Sequence, residues 1–61
     1  MDNYSDLYLK KAIINLEIAQ KEAKKARLCP NEYTINKNIE SVEHQINKTL
    51  LAIDKILFED F

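Results

Sequence analysis

The absence of glycine constrains this chain more than any other feature, and Pro30 is the only proline among its 61 residues. Strand-rich folds need frequent turns, which glycine and proline mark most strongly. Residues with high helix propensity are abundant, particularly from Leu9 to Arg27. Proline disfavours helical geometry in the residue before it but is tolerated in the first turn of a helix. The sequence therefore predicts two helices that are separated near Pro30.

Apolar residues in both segments recur at alternating spacings of three and four, as in helices that pair side by side. The first stripe comprises Leu9, Ala12, Leu16, Ala19, Ala23 and Ala26. The second comprises Ile35, Ile39, Val42, Ile46, Leu50 or Thr49, Ile53, and Leu57 or Ile56. A strand would instead alternate with a period of two. Because the connection is short, we predict an all-α antiparallel two-helix hairpin, a helical coiled coil with its turn at residues 28–33, forming one domain over residues 1–61.

The size of the chain predicts association. Domains this small are marginally stable and usually rely on disulfides, a metal or a partner. The chain has one cysteine and one histidine, so it cannot form an internal disulfide and has no cluster of metal ligands at usable spacing. We therefore expect no metal and no cofactor, and we expect binding to a partner protein or self-association.

Charge and hydropathy argue against nucleic acid and membrane. The net charge of −1 lacks the basic excess of a nucleic-acid-binding domain. The basic side chains Lys21, Lys24, Lys25 and Arg27 suit the carboxyl end of a helix. No apolar run approaches the ~20 residues of a membrane-spanning helix, and the first residues are acidic and polar, unlike a secretory signal. We expect a cytoplasmic protein without membrane insertion.

Two reactive side chains, His44 and Cys29, invite an enzymatic interpretation. A general base needs a nucleophile, an orienting group and a pocket, and none accompanies His44 in the sequence. Cys29 lies beside Arg27, which would favour a thiolate, but a two-helix hairpin cannot enclose a reaction site. We predict no catalytic residue, no small-molecule substrate and no enzyme.

An excess of apolar residues lies off the two stripes. At about 100° per residue, Leu7, Ile14 and Ile18 fall nearly opposite the first stripe. Leu51 and Phe58 form a line off the second stripe, and Phe61 adds to the same end of the hairpin. A contiguous exposed apolar patch usually marks an interface, so we predict that Leu7, Ile14, Ile18, Leu51 and Phe58 bind a partner. Bent helices or folded-back termini that cover these side chains are the alternative.

The turn region reads Lys25-Ala26-Arg27-Leu28-Cys29-Pro30-Asn31-Glu32-Tyr33, and the second helix ends in Leu51-Ala52-Ile53-Asp54-Lys55-Ile56-Leu57. This pattern resembles the small hairpin chaperones of type III secretion needle subunits. The resemblance implies a co-chaperone that docks on a helical-repeat (TPR-like) partner. Together the two would hold the needle-forming subunit as a soluble monomer in the bacterial cytoplasm. The family supplies no invariant binding motif to carry over.

A regulatory homodimer is the alternative. Small hairpin regulators of sporulation, which act on a kinase or phosphatase, have this length, and the best register of their motif falls on Ile39-Glu40-Ser41-Val42-Glu43. That register lacks the Ser and Gln with which their motif begins. A plasmid copy-control protein that binds RNA as a four-helix bundle is similar in length and hairpin form. Either implies a homodimeric four-helix-bundle regulator.

Overall fold

The computed structural model describes residues 3–58, which form two helices and the turn between them. Helix α1 spans Asn3–Leu28, helix α2 spans Tyr33–Phe58, and the two pack side by side. The hairpin measures 45 Å by 18 Å by 11 Å. The predicted all-α hairpin with a turn within residues 28–33 is confirmed. Within the described residues, no helix has the length and hydrophobicity that a membrane crossing requires.

The turn is closed by asparagine in place of glycine. The side-chain amide of Asn31 donates hydrogen bonds to the carbonyl oxygens of Ala26, at 2.7 Å, and Cys29, at 3.0 Å. The Cys29 backbone N–H also donates to the Ala26 carbonyl, at 3.2 Å. The last carbonyls of a helix have no partner within it, and an αL glycine commonly supplies one. Here no described residue has a positive φ, so the Asn31 amide takes over that task.

The contact between the helices is made by an inner row on each, with members seven residues apart. The inner row consists of Leu9, Leu16 and Ala23 on α1 and Ile39, Ile46 and Ile53 on α2. Five of these residues are half-buried. The sixth, Ile53, is buried at 9% exposure and is the one buried hydrophobic residue among the described residues. These six were predicted to face the other helix, and the structure confirms them.

Near the turn, the remaining members of the two predicted stripes do not lie in the contact between the helices. Ala19, Ala26, Ile35 and Val42 were expected inside but are exposed. Their place is taken by the row on the other side of the inner row, here named the mixed row. The mixed row is half-buried and consists of Ile13, Gln20 and Arg27 on α1 and Asn36, Glu43, Leu50 and Leu57 on α2. Ala19 and Ala26 therefore do not line the contact beside the turn.

The two competing rows differ in apolar size only on α1. There the mixed row holds Ile13, whereas the row that is turned away holds alanines. Buried apolar area contributes roughly 25 cal/mol per Å², so Ile13 contributes more to the contact than Ala19 or Ala26. On α2 both rows hold large apolar side chains. The polar members of the mixed row on α1 turn inward together with Ile13.

We expect Asn31→Ala to lower the free energy of unfolding by about 1 kcal/mol, because two hydrogen bonds to turn carbonyls are lost. The measurement is urea unfolding followed by circular dichroism. Asn38→Ala is the matched control. It removes the same amide from an exposed position inside α2, where alanine has the higher helix propensity. Equal destabilisation by both variants would show that the Asn31 amide does not close the turn.

Candidate protein-binding surfaces

The turn half of the interface is polar and is held by one ion pair between the helices. The Nε of Arg27 lies 2.6 Å from Oε2 of Glu43, and these side chains are 31% and 20% exposed. A groove on this side of the hairpin is lined by the pair together with Gln20, Lys21 and Lys24. Charge-assisted hydrogen bonds of this length are stronger than neutral ones, so this pair fixes the two helices relative to each other beside the turn.

Asn36 adds a destabilising feature to the same region. Its side-chain oxygen Oδ1 is buried and has no hydrogen-bond partner among the described residues. A buried unsatisfied polar atom costs about 1–3 kcal/mol. The turn half of the contact therefore combines a stabilising ion pair with a destabilising buried amide oxygen.

The five predicted binding residues are all exposed. Their exposed fractions run from 47% for Leu7 to 75% for Phe58. Residues 4–58 leave them uncovered, so bending of the two helices does not hide them. Phe61, the sixth member of the predicted cluster, lies outside the described residues.

The five do not form one continuous surface. Leu7, Ile14 and Ile18 run along the outer side of α1, nearly opposite its inner row. Leu51 and Phe58 run along the outer side of α2, about 140° from its inner row. Between these two lines comes a row of polar side chains: Lys10 and Glu17 on α1, Asn47 and Asp54 on α2. Leu7 and Phe58 lie near the open end, whereas Ile14 and Ile18 lie near the middle of α1. Their role in binding remains a prediction.

A second apolar surface was missed because its residues were assigned to the interior. We name its outer members the open row: Ala12, Ala19 and Ala26 on α1, and Ile35, Val42, Thr49 and Ile56 on α2. All are exposed except the half-buried Ala12. The open row adjoins the inner row on both helices, and together they form what we name the open apolar face. Its signal in the sequence is the recurrence of alanine and of β-branched residues every seven positions.

The two sides of the hairpin differ in chemistry. On one side lies a groove without a charged residue, lined by Leu16, Ser41, Val42, Gln45, Ile46 and Thr49. On the other side lies the groove with Arg27 and Glu43, where charged residues predominate. In an antiparallel pair, corresponding rows of the two helices lie on the same side, so the open rows of α1 and α2 border the uncharged groove together.

The reactive and basic residues form no site. His44 and Cys29 are exposed, and the described residues contain no group of three or more His, Cys, Asp or Glu that could hold a metal. In the basic segment, Lys25 pairs with Glu22 at 3.3 Å and Arg27 with Glu43. Carboxylates thus neutralise two of its four cations.

Comparisons with protein-family models, with curated proteins and with solved structures found no match to this chain.

We expect a double-mutant cycle of Arg27→Ala and Glu43→Ala to give a coupling energy of about 1 kcal/mol, because the pair is partly buried and joins the two helices. The cycle for Lys25→Ala and Glu22→Ala is the control, since that pair is exposed and lies within α1. Exposed pairs on one helix contribute about 0.3–0.5 kcal/mol. Urea unfolding measures both, and equal couplings would contradict the special position of Arg27 and Glu43.

Proposed function

We propose that this chain is a non-enzymatic protein-binding hairpin that serves as a co-chaperone of type III secretion needle subunits. The observation that carries the protein-binding part is the exposure of twelve large hydrophobic side chains against one buried hydrophobic residue in the described chain. Scattered exposed apolar residues are common, but extended apolar surfaces on a small protein mark interaction sites.

The co-chaperone part of the proposal is supported by the turn sequence alone. Arg27, Cys29-Pro30, Glu32 and Tyr33 follow the order seen in the needle-subunit chaperones that the sequence resembles. A helical-repeat partner offers grooves into which an amphipathic helix can dock. Binding would then protect the aggregation-prone needle subunit by mass action, since each bound partner stabilises the complex.

A homodimeric regulator is the second candidate. The open apolar face favours it, because self-association would cover that surface without any secretion partner. On this alternative the outer line of Leu7, Ile14 and Ile18 would contact the regulated kinase or phosphatase.

We expect that Ile14→Asp combined with Ile18→Asp lowers the affinity for the partner at least tenfold while helicity is retained, because both side chains are exposed. The tagged protein is recovered from its native cell, and intact mass gives the composition of the complex. Recovery of a helical-repeat protein together with a small needle-like subunit is the expected result for the wild type.

Lys11→Asp combined with Asn15→Asp is the control, since it adds negative charge to exposed positions of α1 without removing an apolar side chain. This control should retain the complex. Equal loss in both double variants would attribute the effect to charge alone. Unfolding of the Ile14 and Ile18 variant, with the control folded, would place those residues in a core and contradict the proposed surface.

A further inference from the structure

We propose that the open apolar face binds a second copy of this chain in a two-fold dimer whose turns lie at the same end. This inference does not depend on the co-chaperone role, because it concerns a different surface from Leu7, Ile14 and Ile18.

The first argument is the direction in which the apolar stripes point. In an isolated pair of helices, the most apolar stripe of each should face the other helix. Here Gln20, Arg27, Asn36 and Glu43 occupy part of that contact, while the open row is turned away from it. In a four-helix bundle each helix points its apolar stripe between two neighbours, towards a common axis. The hairpin therefore has the geometry of half a bundle.

The second argument is that the inner and open rows can be buried without leaving a charge or an unsatisfied polar side chain. The inner and open rows contain no charged residue. Thr49 is their only polar member, and its hydroxyl already donates to the Gln45 carbonyl at 2.9 Å. Burial of polar groups is costly only when they lack hydrogen-bond partners. A charged partner surface would find nothing to pair with here.

The third argument is that the face is complementary to itself. On α1 the open row presents small alanines, and on α2 it presents the larger Ile35, Val42 and Ile56. Ala26 lies two residues before the end of α1, and Ile35 lies two residues after the start of α2. Ala19 lies nine residues before the end of α1, and Val42 lies nine residues after the start of α2. The two residues are therefore at the same distance from the turn along the hairpin.

A two-fold axis parallel to the helices preserves these distances from the turn. It places α1 of one copy over α2 of the other, so that Ala19 of each copy meets Val42 of its partner. Symmetric interfaces require a surface that is complementary to itself, and small residues opposite large ones interdigitate well. Both turns then lie at the same end of the dimer.

The area is also sufficient. The side of the hairpin that carries the open apolar face measures 45 Å by 18 Å, or roughly 800 Å², which is about what each partner contributes to a standard protein–protein interface. Burying it would supply the core that the single hairpin lacks.

Sedimentation equilibrium and native mass spectrometry of the full chain test the proposal. We expect a species of twice the 7.2 kDa chain mass and a thermal midpoint that rises with protein concentration. Val42→Glu should raise the dimer dissociation constant at least roughly 100-fold, because each dimer would bury two unpaired carboxylates. Leu51→Glu, on the other flank of the same helix, is the matched control and should remain dimeric.

Cross-linking tests the arrangement even if Val42→Glu fails to fold. In a Cys29→Ser background, chains with Ala19→Cys are mixed with chains with Val42→Cys and oxidised. We expect a disulfide between the two kinds of chain. The pair of Ala12→Cys with Ile35→Cys should form little disulfide, because the two positions differ by about 20 Å in their distance from the turn. A monomer at every concentration, a dimer broken by Leu51→Glu but not by Val42→Glu, or cross-linking only in the mismatched pair would overturn the proposal.

Discussion

The rest of the structure depends on the contact between the inner rows, in which Leu9 and Leu16 of α1 face Ile39, Ile46 and Ile53 of α2. A domain normally buries its apolar surface between two or more layers, and here each layer is a single helix. Such a contact is narrow, and Ile53 is the residue that it buries. The apolar residues outside the inner and mixed rows must therefore remain on the surface or be covered by another chain.

The rotation of each helix about its own axis determines which rows meet, and it gives the hairpin two sides of different chemistry. The mixed row lies in the contact, with its large apolar members at the open end and its polar members near the turn. Arg27 and Glu43 then pair across the helices, and charged side chains gather on their side. The opposite side is left with alanines, isoleucines and a valine. One rotation of the helices thus produces both the ion pair and the open apolar face.

The two apolar surfaces can serve different partners. The outer line of Leu7, Ile14 and Ile18 lies nearly opposite the inner row of α1, so a second copy on the open apolar face would leave it accessible. In the proposed dimer the symmetric core would provide stability, and the outer lines would provide two equivalent docking sites. Self-association and partner binding therefore need not compete for the same side chains.

The sequence by itself determined the number of helices, their limits near Pro30 and their antiparallel pairing. The lack of glycine and the spacing of three and four leave few other solutions. It also identified the inner row, which belongs to the stripe predicted on each helix. Only the tertiary structure decided which row turns inward beside the inner row, that of Ile35 and Val42 on one side of it or that of Asn36 and Glu43 on the other. Each of these rows lies only about 40–60° from the inner row, and the choice depends on side-chain contacts added along the whole length of both helices. For the same reason the open apolar face could not be recognised until the helices were placed together.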